Sequence, residues 1–164
     1  MLLYIVRHAW AEERDDEKWP DDDHRPLTRK GQERFAEIVR LLVRRGMPPE
    51  IIATSPLVRC RQTAEILAAG LDRTPKVVER PELIPDSDLE GILSWTARES
   101  RQFGAIAWVG HAPDVGWLTA ALIGDSRAAI DFSKGAIAAI EFDGEIQTGR
   151  GTLCWLVNAK VLGI

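Results

Sequence analysis

The sequence predicts an α/β fold, a single three-layer α/β/α domain built on a mostly parallel central sheet. Three observations carry that expectation. Short apolar runs without alternation, "LLYIV" (2–6) and "AIAWV" (105–109), read as strands buried on both faces. Segments with helical spacing lie between such runs. Turn residues separate nearly every pair of them, and strand–helix alternation of this kind gives parallel sheets with helices on both faces.

The elements follow in order. After the first strand, residues 11–26 are polar and acidic and read as a loop. Thr28 is a helix N-cap, and Phe35, Ile38, Val39, Leu42 and Val43 recur at helical spacing until Gly46, Pro48 and Pro49 stop the helix. "EIIAT" (50–54) reads as a second strand. Ser55-Pro56 then supplies an expected N-cap and first-turn proline for a helix through Leu67 to Gly70. "KVVE" (76–79) is a short strand. Leu89, Ile92, Leu93 and Thr96 mark a helix ending near Gly104, before the strand at 105–109. Pro113 opens "DVGWLTAALIG", closed at Gly124. Two late strands, 135–143 and 151–157, are expected to join through a hairpin at Asp143-Gly144 or Gly149. Trp95, Trp108, Trp117 and Trp155 are expected to pack in or near the core.

Composition narrows the function. With 164 residues the chain makes one domain, expected to span 1–164, with a core of its own. The net charge of −4, from 21 basic and 25 acidic side chains, argues against a nucleic-acid binder. Two isolated cysteines, Cys60 and Cys154, fit neither a metal spacing nor a disulfide framework. There is no leader pattern and no run of 18 apolar residues, so the expectation is a cytoplasmic protein without a membrane partner.

The chemistry concentrates at expected strand ends. In open α/β sheets ligands bind beyond the carboxyl ends of the strands. Arg7 and His8 follow the first strand, Arg59 lies in the first turn after the second, and His111 follows "AIAWV" by one glycine. Two guanidiniums and two imidazoles suit a phosphoryl group. Arginine presents fork-shaped donors to phosphate oxygens, and a neutral imidazole is a nucleophile near pH 7. Arg14 and Arg61 read as surface residues. His24 beside Asp21, Asp22 and Asp23 reads as solvated rather than as a metal site, since consecutive carboxylates rarely converge on one ion.

Six blocks in order carry a resemblance: "YIVRHAWA" (4–11), "RPLTRKG" (25–31), "SPLVRCRQTAEIL" (55–67), "PELIP" (81–85), "VGHAPDVGWL" (109–118) and "KGAIAAIEF" (134–142). The chain resembles the histidine phosphatase superfamily, of phosphoglycerate-mutase-like fold, and within it the short SixA-type phosphohistidine phosphatases. The resemblance implies His8 as a nucleophile that is transiently phosphorylated, Arg7 and Arg59 as phosphate-pocket arginines, and His111 as the second pocket histidine. It puts Glu82 where many relatives carry the acid–base carboxylate. Arg25 either reaches the substrate or fixes its loop by a salt bridge. No cofactor or metal is implied, since the arginines stabilise the charge.

Ala9 stands where the commonest family motif has glycine, and only 51 residues separate Arg59 from His111, too few for a helical cap over the site. An open pocket fits a bulky or protein-borne phosphate. The function expected is removal of a phosphoryl group from protein phosphohistidine in a signalling or phosphotransfer protein. The alternatives are a broad phosphomonoesterase for small metabolites and a non-catalytic phosphate-binding module.

Overall fold

A computed structural model describes residues 1–164. Its six-stranded sheet has the order β3-β2-β4-β1-β5-β6, with β1 Leu2–Arg7, β2 Ile51–Thr54, β3 Lys76–Glu79, β4 Ala105–Gly110, β5 Ile137–Glu141 and β6 Thr152–Val157. The first four strands run parallel, while β5 pairs antiparallel with both β1 and β6. Helices α1 Arg29–Val43, α2 Val58–Ala69 and the short α5 Ala159–Leu162 cover one face; α3 Leu89–Glu99 and α4 Asp114–Leu122 cover the other. The expected three-layer α/β/α arrangement is therefore present.

Side-chain alternation explains the two cores. Tyr4 and Val6 of β1 point toward Phe35, Ile38 and Leu67, whereas Leu3 and Ile5 point toward Ile92, Leu118 and Phe132. Central strands buried on both faces carry no polar alternation, which is why they read as plain apolar runs. Trp108 of β4 is fully buried, and its indole N–H donates to Thr96 Oγ1 at 2.9 Å. Truncating such a core indole would cost on the order of 3–5 kcal/mol.

The Thr28 cap is as expected: its hydroxyl accepts from Gly31 N at 2.9 Å, and Gly46, at φ +85°, follows the end of α1. Two expectations are corrected. Ser55 does not cap α2; Leu57 occupies the N-cap without a side-chain bond, because the Ser55 hydroxyl is engaged across the sheet edge. Trp117 is 46% exposed, since the buried face of α4 is made by Val115, Leu118, Thr119 and Leu122. The expected hairpin joins β5 to its antiparallel neighbour β6, through the connection 142–151. Gly149, at φ +72°, donates its N–H to Ala121 O, so the connection docks on the end of α4. No helix is long and apolar enough to cross a membrane.

Candidate active site

The register of the central strands assembles the site. Arg7 is level with Gly110 in the β1–β4 pair, so the next residues, His8 and His111, leave the sheet side by side. Their rings lie edge to face with centroids 5.3 Å apart. The turn after β1 is held from three sides: His8 N donates to Gly110 O at 3.0 Å, Gly135 N to His8 O at 3.1 Å, and Ala9 N to Thr63 Oγ1 at 3.0 Å. Gly135 sits at φ +71°, a backbone conformation that suits glycine. Thr63 Oγ1 in turn donates to Arg59 O at 2.7 Å, tying that turn to α2.

His8 is only 8% exposed, and its Nδ1 lies 2.8 Å from the carbonyl of Ala9. A carbonyl accepts only, so Nδ1 carries the proton and Nε2 keeps its lone pair. Nε2 has no hydrogen-bond partner in the protein. Burial first, then the charges of Arg59, Arg7 and Arg25, lower the His8 pKa from 6.5 to about 4, against the opposing Ala9 hydrogen bond. His111, 4% exposed, is lowered to about 3 by burial, then by His8 and Arg59. Both rings are neutral at pH 7.

Both arginines are anchored through terminal nitrogens. Arg7 Nη1 donates to Phe132 O at 2.6 Å. Arg59, 4% exposed, donates from Nη1 to Asp22 O at 2.7 Å, and its Nη2 is ion-paired with Asp22 Oδ2 at 3.1 Å. Arg7 is held by one terminal nitrogen and Arg59 by both, and in each Nε stays buried without a partner. Buried donors left open in this way are rare in folded proteins and point to a missing acceptor. Burial lowers the pKa of both guanidiniums.

His111 Nε2 lies 3.0 Å from Ser55 Oγ and 3.4 Å from Cys60 Sγ. Cys60 is fully buried, its thiol pKa pushed up to about 12, and it is held as a neutral neighbour of the ring. Neither contact was legible in the sequence, where Ser55 carried the pattern of a helix cap.

Of the remaining expected residues, Arg25 makes the salt bridge. Its Nε and Nη2 donate to the two oxygens of Asp22 at 2.7 and 3.4 Å, and Nη1 donates to Glu12 O at 2.8 Å. Asp22 is thus drawn out of the acidic loop, and its carboxyl is held below the ordinary range, first by its hydrogen bond to Arg25. Glu82 pairs through Oε1 with Arg80, leaves Oε2 buried without a partner, and makes no hydrogen bond to the four pocket residues. His24 pairs with Asp21 in solvent, Arg14 with Asp16, and Arg61 with Glu79, all at the surface.

Comparison with known proteins agrees with this geometry. Residues 3–131 match the model of the histidine phosphatase superfamily (branch 1). An uncharacterised protein of Picosynechococcus sp. is 39% identical over 140 residues, 84% of this chain and 82% of its own. Phosphohistidine phosphatase SixA of Escherichia coli is 27% identical over 159 residues, 96% of this chain and 94% of its own. A structure of the protein histidine phosphatase SixA complexed with tungstate superposes with a TM-score of 0.86 at 26% identity, covering 99% of both chains. The arginine–histidine pocket, the sheet that builds it and these matches together place the chain in the histidine phosphatase superfamily, as a SixA-like member with a phosphoglycerate-mutase-like fold.

Proposed function

We propose that this phosphatase removes phosphoryl groups from protein phosphohistidine, with His8 as nucleophile. The observation that carries the reading is the state of His8: Nδ1 tied to Ala9 O, Nε2 open, beside two arginines whose Nε groups lack acceptors. Neutral His8 Nε2 attacks phosphorus in line as the P–N bond to the substrate imidazole breaks, and the leaving nitrogen takes a proton from solvent. Water then adds its hydroxyl to phosphorus and gives a proton back to solvent, the P–Nε2 bond breaks to restore neutral His8, and phosphate leaves. Arg7 and Arg59 hold the non-bridging oxygens through the transition state, and His111 adds a neutral hydrogen-bonding group. Exchange of one P–N bond for another asks little of a general acid. Glu82 Oε2 is the candidate for the proton that a phosphomonoester leaving group would need.

Two large apolar side chains at the same edge support a protein-borne substrate. Trp117, in α4 just beyond His111, is 46% exposed, and Ile84, just beyond the 3-10 turn Pro81–Leu83, is 39% exposed. Exposed aromatic and aliphatic groups on segments that leave the sheet at this edge fit a protein surface better than a small anion. Purified protein is to be assayed with a phosphohistidine-bearing protein, phosphoramidate and a panel of small phosphomonoesters. The expected result is a kcat/KM for the phosphoprotein well above that for any phosphomonoester; the reverse order would replace this reading with a metabolite phosphatase.

A further inference from the structure

Asp22 lies in an acidic run that by sequence is indistinguishable from solvated surface, yet it is the one carboxylate paired with Arg59. It engages both terminal nitrogens of that guanidinium, Nη1 by a hydrogen bond to its main-chain carbonyl at 2.7 Å and Nη2 by an ion pair with Oδ2 at 3.1 Å. That two-point grip fixes the plane of the guanidinium and leaves Nε as its unpaired, buried donor. The carboxylate is itself clamped by Arg25 from the other side, at 2.7 and 3.4 Å, and Arg25 is fastened to the main chain at Glu12 O. Asp21 caps the 3-10 turn Asp22–His24 by accepting from Asp23 N at 3.0 Å, so the turn presents Asp22 in a set direction.

We infer that Asp22 is a positioning residue, aligning Arg59 for the transferring phosphoryl group through a bridge to Arg25. The opposite role would be a latch, a carboxylate standing in for phosphate that must be expelled before substrate binds. Charge decides between them. A latch needs an uncompensated negative charge facing the phosphate, whereas the Asp22 carboxylate is neutralised by a two-bond pair with Arg25. What remains facing the pocket is the cation of Arg59, held in plane. Alignment of this kind matters most when charge spreads over the phosphoryl oxygens, so its loss reads in kcat more than in KM.

This inference deepens the phosphatase reading and rests on it for the turnover arm alone. Asp22→Ala leaves the main-chain carbonyl in place and removes only the side-chain half of the grip. Turnover of phosphoramidate and binding of inorganic phosphate by calorimetry are to be measured for the wild type, Asp22→Ala and Asp22→Asn, with thermal melts alongside. Asp22→Ala is expected to lose roughly 10- to 100-fold in kcat with a smaller change in KM. It should also bind phosphate several-fold more weakly, with Asp22→Asn intermediate, because the amide keeps one accepting oxygen but loses the charge and sets an NH2 donor against the arginines. Tighter phosphate binding in either variant, or an unchanged kcat in a folded Asp22→Ala, would overturn the inference. If Asp22→Ala fails to melt cooperatively, the sign of the change in phosphate affinity for Asp22→Asn decides. A wild type that binds phosphate but turns over no substrate defeats the phosphatase reading, while the sign of the affinity change still tests Asp22.

Discussion

At the amino edge of the sheet, polar groups close on one another. Glu50 Oε2 accepts from the N–H groups of Gly104 and Ala105, and the Met1 ammonium donates to Phe142 O. At the carboxyl edge the ledger is open: Arg7 Nε, Arg59 Nε, Arg80 Nε and Glu82 Oε2 are buried without partners. Yet a cavity of about 600 Å³ lies at the amino edge, between Met47, Pro49, Leu71, Pro75 and Phe103. Volume alone does not mark the working site. Buried donors that the fold leaves unsatisfied do, because leaving them so costs stability unless a ligand supplies the acceptor.

That contrast can be broken by substitution at either edge. The largest effect is expected from Arg59→Ala, which removes a charge-stabilising donor and should lower kcat by roughly 10²- to 10³-fold with the melting temperature little changed. A loss below tenfold, with an intact fold, would show that the open Nε is not a phosphate donor.

The next effect is in pH. A histidine with an ordinary pKa of 6.5 would lose roughly 30-fold of its neutral form at pH 5. With its pKa lowered to about 4, His8 stays mostly neutral there, so kcat/KM corrected for substrate ionisation should hold to pH 5 and fall only through about pH 4. The same burial makes the fold acid-sensitive. Unfolded histidines take up protons near 6.5, while folded His8 and His111 resist until about 4 and about 3, so stability falls as pH drops through that window. A stability profile flat from pH 7 to 4 would contradict the buried, neutral state of both rings.

Trp117→Ala should cost about tenfold in kcat/KM for a phosphohistidine protein and leave phosphoramidate turnover unchanged. Equal losses on both substrates would move Trp117 from a docking role to a structural one. The smallest effect belongs to the other edge: Arg73→Ala, in the wall of the large cavity, should change turnover less than about twofold, within the range of ordinary surface substitutions. A larger change would give the amino edge a function this account denies it.

The sequence was legible where local pattern and tertiary role coincide. The apolar runs at 2–6 and 105–109 are buried on both faces, and no other element satisfies them. Thr28 caps its helix by a bond three residues away, which spacing alone reveals. Legibility failed where a distant partner outcompetes a local one. Ser55 has the sequence pattern of a helix cap, but its hydroxyl meets His111, 56 residues on. Asp22 has the pattern of its neighbours Asp21 and Asp23; only the folding-back of the loop onto α2, 37 residues away, separates it from them. Trp117 was misplaced because hydrophobicity says nothing about the side of a helix when that helix is apolar nearly all round.

In the proposed mechanism His8 Nε2 carries the phosphoryl group between substrate and water. The direct measurement is to mix the protein with phosphoramidate, quench on the millisecond scale in alkali, and locate the added phosphate by mass spectrometry. A phosphoryl group is expected on His8, stable in alkali, labile in acid and absent from His8→Ala, which should also lack turnover. Steady turnover by His8→Ala, or phosphate found on another residue, would contradict it.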